Sequence, residues 1–421
     1  SSDVVIVGET PSAPLADTGL IPWGPVTITI AGGRLNVVLR SFTIYDTVTD
    51  LGAHMPVIDG LTFDDSLAPI GPALVLTGYQ PEVRNCTFRM PMSPAPVILL
   101  AGGMNAKIHD NRVIGSNAPA PLSFVVVVAN DYNGLEFYNN TANMIGNLVA
   151  ASATLPPLRN LTNAVIRDNT ATIYGPVPFF IGSTAGILVE GANVEIRGNR
   201  LTVGNYDPWA STPGVVSLIL VLATNSVVSG NILDASLGLD NYTPAGFPPG
   251  TGAAAIATMA ANTTITNNTI IGVKNGPAIA AYTFAGPPTF SAVNPIITNN
   301  SISNVVDPFA CDAAGFGFDY DGDGNLEGGA IYIYALNAEV RGNIINGVYG
   351  ADGHAILVAM ATGNATIASN IVRHVEDGAG VLVLGSMNNT IQGNTLEDIG
   401  QDGILLAYND LAVFPGTPTY A

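Results

Sequence analysis

The acidic segment from Asp319 to Glu327 has the spacing of a metal-binding loop. It reads DYDGDGNLE, so carboxylates alternate along it and a glycine permits a sharp turn. This order matches positions 1, 3, 5, 6, 7 and 9 of an EF-hand-type calcium loop, while Ala330 replaces the glutamate of position 12. The residues expected to bind Ca²⁺ are Asp319, Asp321, Asp323, Asn325 and Glu327. Since no helix is expected on either side, the site is predicted to fix a long loop rather than to sense calcium.

A second group of acidic residues recurs at intervals of 25 residues: Glu327, Asp352, Asp377 and Asp402, each followed by glycine and an apolar run. If the chain forms coils of equal length, these acids stack along one edge. They would then either border a groove for a cation or a sugar, or cap local turns through backbone amides. In the first case His354 could act as acid or base beside the paired carboxylates Asp352, Asp377 and Asp402, as carbohydrate chemistry requires.

Composition and charge restrict the classes of partner. Of the 421 residues 48% are hydrophobic and only 11% are charged, and the net charge is −19. This charge argues against nucleic acid or an anionic membrane as a partner and favours a cation or a neutral glycan. The longest apolar runs, such as residues 215–223, are far shorter than the roughly 20 residues that span a bilayer. The four histidines and two cysteines show no spacing typical of a zinc or copper site.

One motif repeats along nearly the whole chain. ITNNTIIGV at 265–273 is written again as ITNNSISNV at 297–305, and related units lie on both sides. The repeated asparagine falls at Asn111, Asn140, Asn169, Asn199, Asn231, Asn268, Asn300, Asn343, Asn370 and Asn394. Continued backwards, the register places Cys86, Leu61 and Phe42 in the same position, which gives thirteen units. An Asn at the same bend of every coil can form a ladder of stacked amides, so this residue is interpreted as part of the scaffold.

Each unit also contains a short apolar run, for example GAIYIY at 329–334, bounded by Gly, Pro, Asn or Asp. Runs of this length and composition are typical of strands, and no segment shows the period of a helix. The two patterns together resemble the right-handed parallel β-helix repeat of pectin-lyase-like proteins and surface β-helices, over about residues 35–408. The resemblance implies an all-β, single-stranded right-handed parallel β-helix of about thirteen coils with an interior Asn ladder. We expect an N-terminal arm or cap at 1–33, the β-helix at 34–408 and a tail at 409–421.

The same resemblance implies enzymes, adhesins and structural proteins alike. A pectate-lyase-like enzyme needs Arg or Lys beside its calcium, and here Arg341 and Arg373 are isolated. The Gly-His-Gly of polygalacturonases is approached only by Gly353-His354-Ala355. These departures favour a structural or adhesive protein over a carbohydrate-active enzyme or a glycan-binding module, which stays as the alternative.

Other features indicate an extracellular protein. The chain starts at Ser1 without a basic, apolar leader, as expected of a secreted protein after removal of its signal peptide. Nine N-x-S/T sequons make N-glycosylation plausible: Asn85, Asn139, Asn160, Asn241, Asn262, Asn267, Asn299, Asn364 and Asn388. Cys86 and Cys311 lie eight units apart, so no disulfide between them is predicted unless the long loop that contains Cys311 folds back. The two ends and the apolar loops at 235–255 and 281–293 are predicted to support self-association.

Overall fold

The computed structural model describes residues 4–7, 28–41, 43–44, 47–64, 72–89, 96–115, 125–151, 160–173, 185–204, 217–239, 254–282, 292–308, 328–359 and 363–407. Within these ranges the regular secondary structure consists of β-strands, and these strands pair in parallel. The following lie outside the described residues: the motif at 319–327 that is predicted to bind calcium, Asn241, Cys311 and the tail at 409–421. Among the residues described, no helix has the length and apolar character needed to cross a membrane.

The chain winds into coils with three faces, each built from one strand per coil. The first face carries fourteen strands: β2 Ile28–Ile30, β5 Val48–Asp50, β8 Leu74–Leu76, β11 Ile98–Ala101, β14 Val125–Asn130, β18 Asn147–Ala151, β21 Ala185–Arg197, β23 Ser217–Thr224, β26 Ala254–Thr258, β29 Ile279–Tyr282, β32 Gly328–Tyr334, β35 Gly353–Val358, β38 Val381–Leu384 and β41 Ile404–Ala407.

The second face follows after a first bend, and the long strand β21 continues from the first face into it. Its other strands are β1 Val4–Val7, β3 Val37–Arg40, β6 Val57–Asp59, β9 Glu82–Arg84, β12 Lys107–His109, β15 Tyr132–Asn133, β16 Glu136–Tyr138, β19 Leu161–Arg167, β24 Val227–Ser229, β27 Thr264–Thr266, β30 Ile296–Thr298, β33 Glu339–Arg341, β36 Thr366–Ala368 and β39 Thr390–Gln392.

The third face follows after a second bend and forms a separate sheet of thirteen strands. They are β4 Thr43–Ile44, β7 Thr62–Asp64, β10 Thr87–Arg89, β13 Arg112–Ile114, β17 Thr141–Ile145, β20 Thr170–Ile173, β22 Arg200–Val203, β25 Ile232–Asp234, β28 Thr269–Ile271, β31 Ser301–Val306, β34 Ile344–Ala351, β37 Ile371–Asp377 and β40 Thr395–Ile399. The predicted parallel β-helix of about thirteen coils is therefore confirmed. We number the coils 1 to 13 by these strands.

The N-terminal segment is partly built into the coils. Strand β1 pairs with β3, and β2 pairs with β5 of the next coil. Both strands lie N-terminal to residue 34, where the β-helix was predicted to begin.

Side chains that alternate along the strands fill the interior of the β-helix. The core contains aliphatic columns such as Ile219, Ile256, Ile279 and Ile331, all fully buried, which stack from coil to coil. A second apolar cluster lies on the outer side of the first face: Ala150, Ala185, Leu188, Leu220, Leu222, Ala254, Ala257, Met259, Ala280, Tyr282, Tyr332, Leu357, Ala359, Ala379, Leu382 and Leu384. The first face is therefore apolar on both sides, as strands buried on both faces usually are.

The inner Asn ladder runs along the second bend from coil 4 to coil 13. At each step the side-chain N–H of one Asn donates to Oδ1 of the next, as from Asn199 to Asn231 at 3.0 Å and from Asn231 to Asn268 at 2.9 Å. The same amide donates to a backbone carbonyl of an adjacent strand, here from Asn231 to Ile196 at 3.0 Å. The predicted interior ladder is thus confirmed.

A second row of asparagines runs along the outside of the first bend, and we call it the outer Asn ladder. Its amides also donate to each other, for example Asn262 to Asn225 at 2.9 Å and Asn294 to Asn262 at 3.0 Å. The members are Asn133, Asn163 and Asn193 in coils 5 to 7, and Asn225, Asn262, Asn294, Asn337 and Asn364 in coils 8 to 12. All but Asn133 have a positive φ, between 52° and 59°, which Asn tolerates better than most residues.

Candidate functional site

The acidic residues spaced by 25 lie at the third bend, where one coil passes into the next. The strands pair Asp377 with Ala351, the residue before Asp352, and beyond the bend Ile356 pairs with Val381. The next coil is two residues shorter, because Val381 pairs with Ile404. Asp402 is consequently displaced, and its carbonyl accepts the N–H of Gly380 at 3.0 Å. The predicted stack of four acids is therefore wrong at Asp402, whereas Glu327 lies outside the described residues.

His354 does not sit in an open groove. Its side chain is buried, and its Nδ1 accepts the backbone N–H of Ala379 at 2.8 Å. A ring nitrogen that accepts this bond has no lone pair left to remove a proton from a substrate. The contact ties coil 12 to coil 13, so the geometry gives His354 a structural part. Leu357 and Leu382 follow on the outer side of the same strands.

The second face presents a different surface, which sequence reasoning missed. Its outward positions and the adjoining second bend carry charged or aromatic side chains on every coil from 1 to 7. We call this set the charged stripe: Arg40, Asp59, Glu82, Arg84, Lys107, His109, Asp110, Glu136, Tyr138, Arg167, Asp168, Glu195 and Arg197. It contains five of the thirteen Lys and Arg residues of the chain and six acidic residues. Opposite charges are thus nearly balanced there, although the whole chain carries −19.

Polar contacts connect the first four coils of the stripe. Asp59 bridges Arg40 at 3.0 Å and Arg84 at 3.3 Å, so coils 1, 2 and 3 are joined through one carboxylate. His109 Nε2 then lies 3.1 Å from Glu82 of coil 3. These side chains are partly exposed. Contacts between neighbouring coils at such positions act like the cross-strand pairs of any sheet and help to hold the register.

Stacked planar groups continue the stripe into coils 5 and 6. The rings of His109 and Tyr138 lie 4.6 Å apart and are parallel within 3°. Arg167 places its guanidinium 4.2 Å from the centre of the Tyr138 ring on the following coil, a cation–π contact. The stripe therefore combines stacked planar groups with charged side chains.

The electrostatics of the stripe favour ionised side chains. Partial burial would raise the pKa of Asp59, but hydrogen bonds from Asn85 and Arg84 and the charges of Arg84 and Arg40 outweigh it, so the pKa is lowered. The hydrogen bond to Asp59 raises the pKa of Arg84. Both groups keep their charges around neutral pH.

Two features of the sequence could have revealed the stripe. The tripeptides Glu82-Val83-Arg84 and Glu195-Ile196-Arg197 repeat a charge, an apolar residue and an opposite charge. Such alternation places both charges on the outer side of a strand and the aliphatic residue in the core. The tripeptide recurs once more at 339–341, outside the stripe.

Seven of the eight sequons within the described residues have their Asn at a bend with positive φ: Asn85, Asn139, Asn262, Asn267, Asn299, Asn364 and Asn388. At the second bend the order is a bend Asn, a buried residue of the inner ladder column and then an outward Thr or Ser, as in Asn267-Asn268-Thr269. The scaffold alone thus produces the N-x-S/T pattern. The eighth sequon has its Asn at Asn160, which is exposed and is not among the residues with positive φ. N-glycosylation stays a prediction.

Cys86 occupies the inner ladder column directly before Asn111. It is a free, buried thiol, and its backbone N–H donates to Asn111 Oδ1 at 2.9 Å. Burial raises the pKa of this thiol to about 12. These facts agree with its predicted place inside the β-helix.

Comparison with known proteins places these observations in a family context. The family model described as "Right handed beta helix region" matches residues 73–414. No match was found among curated protein sequences. Among solved structures, a mutant tailspike protein of E. coli bacteriophage HK620 in complex with a pentasaccharide is 14% identical, with a TM-score of 0.51 over 92% of this chain and 73% of that chain.

Two further solved structures share the architecture at lower scores. A PL6 alginate lyase in complex with a trisaccharide is 13% identical, with a TM-score of 0.47 over 96% of this chain and 89% of that chain. PfbA, a surface adhesin of Streptococcus pneumoniae, is 13% identical, with a TM-score of 0.48 over 90% of this chain and 82% of that chain. At such identities the likeness concerns the fold alone.

Proposed function

The chain belongs to the right-handed β-helix family, and from this premise we propose that it is an extracellular structural or adhesive protein whose charged stripe contacts a partner. The fold does not decide between the activities found on it, so the argument has to come from the surface. The observation that supports the proposal is the concentration of balanced charge on coils 1 to 7 of the second face.

Stability alone does not account for that concentration. Exposed ion pairs contribute about 0–1 kcal/mol each. The same face in coils 8 to 10 is built from uncharged residues such as Val227, Thr264 and Ile296. The β-helix therefore also forms with uncharged side chains at these positions. A partner that is recognised through complementary charges and hydrogen bonds gives a reason for the stripe.

Self-association and calcium belong to the same proposal. A rod stiffened by two amide ladders suits a subunit of a surface layer or filament, and the motif at 319–327 would hold Ca²⁺ there. Electron microscopy of the purified protein, with and without a chelator, tests this part. Filaments or sheets that fray on chelation would support it. Single short rods in both samples would contradict self-assembly.

A matched pair of variants tests the stripe itself. Glu82→Gln with Arg84→Gln removes both charges of coil 3. Glu339→Gln with Arg341→Gln removes the same charges from the same tripeptide in coil 11. Binding to films of a neutral and of an acidic polysaccharide, and sedimentation of the protein alone, are measured at low and high salt. Loss of binding or association in the first variant alone supports the stripe as the contact surface, and equal behaviour of both variants contradicts it.

A carbohydrate-active enzyme is the second candidate. The observation that favours it is that Asp352 and Asp377 lie at the third bend of neighbouring coils, where Asp377 pairs with Ala351, the residue before Asp352. A tailspike protein of similar fold was solved with a bound pentasaccharide, so a glycan is the substrate class to test. A screen for polysaccharide degradation, repeated with Asp352→Asn and Asp377→Asn, decides this alternative. Turnover that disappears in both variants would replace the structural proposal with an enzymatic one.

A further inference from the structure

The imidazole of His109 lies between two carboxylates in the middle of the charged stripe. Its Nδ1 is 2.7 Å from Asp110 Oδ2, and its Nε2 is 3.1 Å from Glu82 Oε1. Only 12% of the His109 side chain is exposed. An ionised carboxylate only accepts hydrogen bonds, and a neutral imidazole has a single N–H to donate. Both contacts are therefore satisfied together only when the ring carries two protons and a positive charge.

The next coils also favour the charged form of this ring. His109 pairs with Tyr138 of coil 5, and their rings are parallel within 3° at a distance of 4.6 Å. Tyr138 pairs in turn with Arg167 of coil 6, whose guanidinium lies 4.2 Å from the centre of the phenol ring. A cation over an aromatic face is attracted by that face. A charged His109 thus gives Tyr138 a cation on the side of coil 4 as well as on the side of coil 6.

Other charged groups around His109 are paired among themselves. The titratable and charged groups that face the ring are Glu82 and Arg84 of coil 3, Glu136 and Tyr138 of coil 5, and Asp110 and Lys107 of its own coil. Arg84 lies beside His109 and opposes its protonation, but Arg84 is also held by Asp59 at 3.3 Å. Lys107 lies 3.9 Å from Glu136. Each of these two cations thus has a carboxylate that does not contact His109.

Protonation of His109 completes the charge balance of the whole stripe. The stripe contains five Lys and Arg residues and six acidic residues, so a charged His109 gives six positive and six negative groups. Loss of this proton leaves one negative charge in excess. Histidine is the side chain that ordinarily changes its charge between about pH 5 and 8. The charge of the stripe in this range therefore depends on His109.

We propose that His109 is a pH-dependent link in the charged stripe. In mildly acidic solution its two N–H groups donate to Asp110 and Glu82, which ties coil 3 to coil 4 and leaves the stripe neutral. When the ring loses a proton, the remaining N–H stays on Nδ1, since the contact with Asp110 is the shorter one. Nε2 then presents a lone pair to Glu82, so this contact is lost and the stripe becomes negative.

The consequence for binding rests on the proposed function, in which the stripe contacts a partner. A neutral stripe with an ordered row of cations accepts an acidic partner more readily than a negative one, because like charges across an interface are unfavourable. An acidic polysaccharide should therefore bind more tightly in mildly acidic than in mildly alkaline solution.

A double-mutant cycle at two pH values tests the link without any partner. The midpoint of thermal unfolding is measured for the native chain, His109→Gln, Glu82→Gln and the double variant, at about pH 5.5 and about pH 8.5, on either side of the histidine range. We expect the two substitutions to be coupled by roughly 1 °C at the lower pH and to be additive at the higher pH.

His374 and Asp398 provide the matched control for this cycle. Nδ1 of His374 is 2.7 Å from Asp398 Oδ2. A neutral ring that keeps its proton on Nδ1 still makes this bond. Coupling between His374→Gln and Asp398→Asn should therefore remain at the higher pH, where the coupling between His109 and Glu82 is lost.

Binding to films of an acidic polysaccharide at the same two pH values tests the consequence. We expect the native chain to bind about threefold or more tightly at the lower pH. His374→Gln should keep this ratio, because His374 lies outside the stripe, and His109→Gln should lose it.

Two results would overturn the inference. The first is a coupling between His109 and Glu82 that is equal at both pH values. The second is a pH dependence of binding that His109→Gln leaves unchanged. Absence of binding at both pH values would contradict the proposed contact role of the stripe, whereas the link within the stripe is decided by the double-mutant cycle alone.

Discussion

The inner and the outer Asn ladders use one residue type in two environments. Inner members such as Asn231 are fully buried, and their side chains make hydrogen bonds both to each other and to backbone carbonyls. Outer members such as Asn262 are exposed and bond to each other. The inner amides therefore supply hydrogen bonds to buried amide and carbonyl groups that water does not reach. The outer amides make hydrogen bonds that water can make in their place.

This difference indicates what each ladder does. A buried hydrogen bond that loses one partner leaves the other unsatisfied, whereas an exposed one is replaced by solvent. The inner ladder should then determine stability. The outer ladder should mainly set the backbone of the first bend, for which Asn is chosen because it accepts a left-handed conformation.

The largest expected effect follows from Asn231→Ala at the centre of the inner ladder. The change removes bonds to Ile196 and Asn268 and leaves the side-chain and backbone N–H groups of Asn199 without their acceptor. We expect a loss of about 3–5 kcal/mol in the free energy of unfolding, measured by urea denaturation. A loss below about 1 kcal/mol would show that the chain rearranges around the missing amide and that the inner ladder is not the main contribution to the free energy of unfolding.

The next largest effect is expected for the chemical labelling of Cys86, which is slow when the thiol is buried. The labelling rate reports on the first step of the inner ladder, between Cys86 and Asn111. In a Cys311→Ser background, iodoacetamide should label the native protein at least about a hundredfold more slowly than the unfolded chain, because the thiol is buried and the reactive form is the thiolate. The pKa of about 12 keeps Cys86 protonated across the neutral and mildly alkaline range. Labelling of the native protein at the rate of the unfolded chain would contradict the placement. Asn111→Ala should speed labelling.

Cys86→Asn should extend the inner ladder by one rung. The new amide could donate to Asn111 Oδ1 and to the carbonyl of Ile58, which now lies 3.6 Å from the Cys86 sulfur. We expect a gain of about 1 kcal/mol in the free energy of unfolding, with Cys86→Ser as a control whose hydroxyl is too short to reach both. A Cys86→Asn protein less stable than the native protein would show that the interior at coil 3 has too little space for an asparagine side chain.

The inner ladder could be read from the sequence because a buried residue at a fixed bend leaves a strict pattern. The period predicts the parallel β-helix, its thirteen coils and the column that runs from Leu61 through Cys86 to Asn394. The outer ladder left a signal as well, since Asn225, Asn262 and Asn294 each precede an inner Asn by six residues.

The roles of the outward residues could not be derived from the sequence in this way. Strand pairing constrains the inward residues strongly and the outward ones weakly, so the charged stripe follows no rule of the fold. The predicted stack of four acids is wrong at Asp402 because an equal spacing in the sequence does not require coils of equal length. The shorter last step, from Val381 to Ile404, becomes visible only when the strands are paired.

The smallest effect is expected for Asn262→Gly in the outer ladder. Glycine adopts the φ of 56° seen at this position without strain, so the substitution removes the amide bonds to Asn225 and Asn294 and little else. Because water can take over both bonds, we expect a loss of no more than about 1 kcal/mol in the free energy of unfolding, measured as for Asn231→Ala. Asn262→Ala is the control for the backbone, and it should lose more than the glycine variant because alanine is strained in a left-handed conformation. If Asn262→Gly instead lowered the free energy of unfolding as much as Asn231→Ala, the exposed and the buried amide ladder would contribute equally to stability. The proposed difference between the two ladders would then be wrong.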